Sequence, residues 1–247
     1  MKKIAIILIV LALVMSLWSS CYAGQGAKQP IKVLFLIDGC CHDFKNLPPT
    51  LADKLKATGD FECTITADRE QLIPANISKF DIALLYTQGS DMAPEQEKGL
   101  TEFVNGGKGY VGIHCASDSF KNSDAYWKMV GGRFAGHGRG TFPVKFTAKR
   151  HEVVNGLDNF EITDETYNHK FHPDAKVITL ARRETDGEPA VWVQYYGAGR
   201  VFFTGLGHGK EAWENETFQK LIFRGMYWAA GRAAVPAKTC HKTKCKK

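Results

Sequence analysis

The sequence predicts an α/β fold, a three-layer sandwich with helices on both faces of a mixed, mostly parallel sheet. Two observations carry this. Short, nearly continuous apolar runs such as IKVLFLI (31–37), FDIALLY (80–86) and GYVGI (109–113) suit strands buried on both faces. Stretches with helical starts and stops separate them, and that alternation builds right-handed, doubly wound βαβ units.

In chain order, Pro30 opens the first strand and the loop DGCCHDF follows it. LPPTLADKLKATG reads as a helix stopped by Gly59, and FECTIT (61–66) as the next strand. After FDIALLY, Pro94 starts the helix PEQEKGLTEFVNGG, with proline in the first turn and paired glycines at the end. GYVGI then runs into the turn HCASDSF. In the second half FPVKFTA, KVITLAR, AVWVQYY and RVFFTG are strand-like and close together, and the glycines of YYGAGR join the last two as a hairpin. Their crowding is what makes the sheet mixed. FQKLIFRGMYWAAG (218–231) closes the fold as an amphipathic helix, whereas GGRFAGHGRG and ITDETYNHKFHPD read as loops.

The fold is expected to occupy residues 24–231 as one domain without internal repeats. Lys2 and Lys3 precede IAIILIVLALVM, and a small residue, Ala23, follows SLWSSCY; together these describe a secretory signal peptide at 1–23. The expected location is periplasmic or secreted. An uncleaved anchor is the first alternative and a lipid on Cys21 the second, though WSSC lacks leucine three residues before the cysteine, so membrane contact is limited to the signal peptide or a lipid anchor. The net charge of +6 misleads: without Lys2, Lys3 and the six basic residues beyond Gly231, residues 24–231 hold 24 basic and 26 acidic side chains. A nearly neutral body speaks against nucleic acid as a partner, and the basic tail 232–247 reads as solvated and disordered. Six cysteines remain after Cys21, too few for a disulfide scaffold in so long a chain; Cys240 and Cys245 in TCHKTKC could pair locally.

In an open α/β sheet, ligands bind outside the carboxyl ends of the strands. That rule brings His42, His114 and His208 to one rim, since each follows a strand, together with Asp43 and Asp118 from the same loops. Imidazoles and carboxylates converging from distant sequence are what acid–base chemistry or a metal requires. Glu165 is a further acid–base candidate. Arg133 could grip a carboxylate or sugar hydroxyl, His137 lies in the same glycine-rich stretch, and Tyr167 and Trp213 could stack on a sugar ring. A core role for Trp213 is the competing assignment. His151, in KRHEVVNGL, reads as a turn anchor. Neither GxGxxG nor GxxxxGK[ST] follows the first strand, so no phosphate cradle is expected.

The motifs VGIHCASDSF, YWKMVGGRFAGHG, HEVVNGLDNF with DETY, HPD, and FTGLGHGKEAW occur in order across residues 31–231. Together they resemble the trehalose-utilisation (ThuA-like) family, related in fold to class I glutamine amidotransferases. The resemblance implies a flavodoxin-like, amidotransferase-like sandwich and a link to carbohydrate metabolism. In the amidotransferase relatives the turn after this strand carries a nucleophilic cysteine in a G-x-C-x-G elbow. Here the window is G-I-H-C-A, so His114 takes the nucleophile's place and Cys115 should turn inward as a small hydrophobe. The histidine–acid pair spaced H-x-E is absent, since His208 and Glu211 are three apart, and glutamine hydrolysis is not expected.

The resulting expectation is an exported carbohydrate enzyme acting on a disaccharide or its keto derivative. His114 would be base or ligand, His42 and His208 its partners, Asp118 the group that orients one of them, and a divalent metal a conceivable cofactor. A non-catalytic carbohydrate-binding protein on the same fold is the alternative, and thiol chemistry at Cys115 a third.

Overall fold

The computed structural model describes residues 29–233. The predicted leader with Cys21, and the basic tail beyond Ala233 with Cys240 and Cys245, lie outside the described residues. No helix among the described residues is long and apolar enough to cross a membrane.

Nine strands form one sheet in the order β2-β1-β3-β4-β9-β8-β7-β5-β6. Five are contiguous and parallel: β1 (Ile31–Asp38), β2 (Phe61–Thr66), β3 (Ile82–Thr87), β4 (Gly109–Ile113) and β9 (Gly199–Thr204). Then β8 (Pro189–Tyr196) reverses, β7 (Ile178–Arg183) returns, β5 (Gly132–Phe146) reverses and β6 (Phe160–Phe171) returns. Only β8 and β5 run against the rest; four of the eight pairings are parallel and four antiparallel, so the sheet is mixed, with a parallel half built from the apolar runs and an antiparallel half from the crowded later strands. Chain order reverses direction across the sheet between β1 and β3, which places the switch point there.

The period of two along the strands divides the core. Ile31, Val33 and Phe35 of β1, with Ile82, Leu84 and Tyr86 of β3, pack under α1 (Leu47–Ala57) and α6 (Glu216–Ala229) through Leu51, Leu55, Leu221 and Ile222. Leu34, Leu36, Ala83 and Leu85 face the other way, towards α2 (Pro74–Ile77), α3 (Pro94–Asn105) and α4 (Asp124–Val130) through Ile77, Leu100, Phe103 and Met129. The short helix α5 (Lys210–Glu214) follows β9.

One expectation is corrected. GGRFAGHGRG and DETYNHKF are not loops: they belong to β5, 15 residues long, and β6, 12 residues long. The two pair from Gly132 opposite Phe171 to Val144 opposite Phe160, whereas β5 touches β7 only over Val144, Lys145 and Phe146. Most of the pair is therefore a two-stranded ribbon reaching past the sheet to its carboxyl rim. Its sequence hides the strand because inward positions of β6 hold Asp164 and a buried His169 side chain, which break the apolar alternation.

Leu84 is fully buried in the central strand β3. Leu84→Ala is expected to cost about 2–5 kcal/mol of unfolding free energy, through lost transfer energy and the cavity left behind. Urea unfolding should show it as a lower midpoint at unchanged slope; a loss under about 0.5 kcal/mol would contradict the packing described.

Candidate active site and metal centre

The loops after β1, β4 and β9 deliver His42, His114 and His208 to one point, and the ribbon delivers Glu165 from β6. One ligand atom from each of these four residues lies within 4.8 Å of the others. The His42 ring centroid is 5.2 Å from that of His114 and 4.8 Å from that of His208. Glu165 Oε2 lies 3.4 Å from His114 Nε2 and 3.2 Å from His208 Nδ1.

The proton positions follow from the partners. His114 Nδ1 is 2.7 Å from the Gly205 carbonyl oxygen, and His42 Nδ1 is 3.0 Å from that of Cys40. A carbonyl only accepts, so both rings carry the proton on Nδ1 and turn the Nε2 lone pair inward. His42 Nε2, His114 Nε2 and His208 Nδ1 are buried and make no hydrogen bond. Burial drives the His114 pKa down to about 4, against the pull of Glu165 and the Gly205 carbonyl, and it lowers those of His42 and His208 too. Burial works against ionisation of Glu165 as well, yet contact with His114 and the charges of His208 and His137 hold its carboxyl below the usual range.

Near neutral pH the centre is thus three neutral imidazoles and one carboxylate, and the Nε2 lone pairs of His42 and His114 turn inward towards an anion, a conflict of electron-rich groups. A divalent cation removes that conflict. Ligand bonds of about 2.0–2.1 Å in tetrahedral geometry place ligand atoms roughly 3.3 Å apart, which matches the 3.2 and 3.4 Å separations around Glu165. Each Nδ1–H held by a backbone carbonyl is also the outer support that metal-bound imidazoles require. Imidazole with one carboxylate suits a transition ion such as zinc better than magnesium or calcium.

The local chain is built to hold this arrangement. His114 has φ +46°, a left-handed conformation rare for a side chain of its size, at the junction of β4 and a 3-10 turn. That turn aims the imidazole at the rim and Cys115 into the core, where it is fully buried and its thiol is pushed well above its ordinary pKa, first by desolvation. Tyr167 lies over His114 at 3.8 Å between centroids. The His208 loop is pinned from several sides. Asp164 accepts the Gly207 and His208 N–H groups at 2.6 and 3.0 Å, and Tyr86 Oη donates to the carbonyls of the same two residues. Gly207 has φ +119°, and a Cβ on Gly205 would stand 2.8 Å from His169 Cε1. Burial pushes the Asp164 carboxyl up to about 6 despite its two N–H donors.

The remaining candidates fall into two groups. His137 is exposed at the mouth, with Nδ1 3.6 Å from Glu165 Oε1. Asp118 lies beside the cluster without orienting a histidine: Lys121 Nζ is 2.6 Å from Oδ1, and Gln88 Nε2 donates to Oδ2 at 3.3 Å. Backbone carbonyls do the orienting, which corrects the role expected of Asp118. Asp43 is exposed and accepts from Asn46 at the start of α1. Arg133 stacks on Trp127 at 4.1 Å and donates to the Lys121 carbonyl, away from the four ligands. Trp213 is 8% exposed, packs edge-on to Tyr86 and donates to the Gly207 carbonyl at 2.8 Å, so it is a core support rather than a sugar platform. His151 anchors a turn, accepting the Val153 N–H on Nδ1. Sequence reasoning missed Tyr86 and Asp164 as supports; the usable signal for Tyr86 was its place at the carboxyl end of the apolar run FDIALLY.

Two outcomes follow. An unfolded histidine titrates near 6.5 and the folded centre resists protonation, so its stabilising effect is complete above pH 6.5 and is lost as pH falls towards 4. For His114 the loss is about 3 kcal/mol. Melting of metal-free protein between pH 7 and 4 should show a steeper decline than in His114→Asn; parallel curves would contradict it. Iodoacetamide near neutral pH should modify exposed Cys40 and Cys41 at least about tenfold faster than Cys115, read by peptide mass; equal rates would restore the thiol as a nucleophile.

Residues 32–229 match the trehalose utilisation (ThuA) family. Among solved structures, a protein described as ThuA-like from Parabacteroides merdae is 23% identical, covers 85% of this chain and 93% of its own, and superposes with a TM-score of 0.76. Another described as ThuA-like, from Bacteroides uniformis, is 20% identical over 84% of this chain and 95% of its own, at 0.72. The fold extends to a β-galactosidase from a Rahnella species, 13% identical over 81% of this chain and 31% of the enzyme, at 0.60. No curated protein is similar enough in sequence to match. With the family matched over most of its length, the chain belongs to the trehalose utilisation (ThuA) family, which carries a carbohydrate-related role.

Proposed function

We propose that this protein is a metal-dependent carbohydrate enzyme, with one divalent transition ion held by His42, His114, His208 and Glu165. Its substrate is a disaccharide or a keto derivative of one, and its compartment the periplasm or the exterior. The carrying observation is the set of unpaired imidazole nitrogens gathered around one carboxylate at the carboxyl rim. The family's carbohydrate-related role supports the substrate class, and Lys2, Lys3 and the apolar run before Ala23 support export.

When bound, the ion supplies Lewis acidity to a carbonyl or hydroxyl oxygen of the sugar. The chain's own groups do the rest. Glu165 presents Oε2 to His114 and His208 and Oε1 to His137. His137, exposed at the mouth, accepts or returns the proton of the reacting carbon or hydroxyl. Gln88, Asp118 and Lys121, in the segments after β3 and β4, offer donors and acceptors to ring hydroxyls. Glutamine hydrolysis is disfavoured, since an imidazole stands where the thiol would and Cys115 is buried. The binding-module alternative loses support too, because Trp213 is packed in the core and Tyr167 covers His114 instead of open space.

Purified protein should contain about one transition-metal equivalent by elemental analysis. It should turn over at least one disaccharide or 3-keto-disaccharide, and chelation should abolish that turnover until the ion is restored. His114→Ala should lower turnover more than about 100-fold, the upper range seen for groups one layer outside a metal. Turnover unaffected by chelator and by His114→Ala would overturn the proposal.

A further inference from the structure

Two cysteines whose thiols have no part in the site above stand beside it. Cys40 and Cys41 are consecutive, both are exposed, and their sulfurs face each other at 2.8 Å. Cys41 holds φ +69°, one of only four non-glycine residues in left-handed conformation among the described residues, and Cys40 Sγ also lies 3.8 Å from Gln88 Oε1. The carbonyl of Cys40 is the group that holds His42 Nδ1–H and so aims Nε2 at the centre.

We propose that Cys40 and Cys41 form a redox-modification site, closing to a vicinal disulfide by exchange with a small-molecule disulfide and thereby resetting His42. One thiolate attacks a sulfur of the small disulfide, forming a mixed disulfide and expelling one small thiol. The neighbouring cysteine, losing its proton, attacks the protein sulfur and expels the second. The protein loses two hydrogens and two electrons, and the small disulfide is reduced to two thiols. A trans peptide holds neighbouring Cα atoms about 3.8 Å apart, short of the usual 4.4–6.8 Å across a disulfide, so the ring is strained and readily reduced again. Closing it constrains ψ of Cys40 and φ of Cys41, the torsions that aim the Cys40 carbonyl. His42 then loses the support that fixes its tautomer and direction. This last link rests on the metal-centre reading; ring closure itself does not.

The test treats the full chain, reduced and freed of reductant, with glutathione disulfide, blocks remaining thiols with iodoacetamide, and maps peptides by mass. The expected result is a loss of two hydrogens within the peptide containing Cys40 and Cys41, with neither alkylated. Zinc should bind the oxidised chain roughly 10–100-fold more weakly than the reduced one, the range for removing a ligand's outer partner. Cys41→Ser should bind zinc as the reduced protein does and, lacking the second thiol, stop at a glutathione adduct on Cys40 with no loss of two hydrogens. In the unsubstituted chain, stable glutathione adducts, pairing with another cysteine, or both thiols remaining alkylatable would overturn ring closure. Equal zinc affinity in both states, or weakened zinc binding by untreated Cys41→Ser, would overturn the link to His42. The peptide mass decides ring closure alone, so failure of the reduced chain to bind zinc would count against the metal reading instead.

Discussion

A carboxylate facing uncharged nitrogen lone pairs in a largely water-excluded corner is the constraint on which this structure turns. Buried polar atoms need partners, and a buried anion needs a cation or donors. Around Glu165 the outward Nδ1–H groups of His42 and His114 are already committed to backbone carbonyls, so these rings have no second proton to offer while neutral. Protonating them is opposed by burial. A metal ion would satisfy the four groups together: Glu165 already stands 3.2 and 3.4 Å from two of the nitrogens, and all four ligand atoms lie within 4.8 Å of one another.

The scaffold explains how so costly a cluster is kept. The five parallel strands set the rim, and their carboxyl ends supply the His42, His114 and His208 loops. The β5–β6 ribbon then crosses to that rim with adjacent acids in separate roles: Asp164 holds the His208 loop by its N–H groups, and Glu165 faces the imidazoles. Strain is concentrated at the same edge, in Cys41, Ser90, His114 and Phe120, and the doubly covered sheet below it overdetermines those conformations.

Much of this was legible in the residues and some was not, for identifiable reasons. Apolar runs gave the parallel strands closely, because burial on both faces leaves an unbroken pattern; FECTIT and GYVGI coincide with β2 and β4. The three histidines could be grouped because position at a strand's carboxyl end predicts proximity without coordinates. Glu165 could be named but not placed, since Asp164 and His169 fill inward positions where a strand pattern needs apolar residues. A sequence points to Asp118 as the histidine-orienting group because it displays side chains, whereas the Gly205 and Cys40 carbonyls that orient the rings leave no mark in it. Trp213 looked like a platform because sequence does not show which way a ring after a glycine-rich loop turns.

The proposed metal gives a ligand's role to the imidazole that stands where the relatives in fold carry a nucleophilic cysteine. Titrating metal-free protein with cobalt(II) while following visible absorption tests this directly. The account predicts saturation at about one ion per chain with intense bands of low-symmetry nitrogen and oxygen coordination, lost in Glu165→Gln and His114→Ala variants that remain folded. Absence of saturable binding, or unchanged bands in those variants, would contradict it.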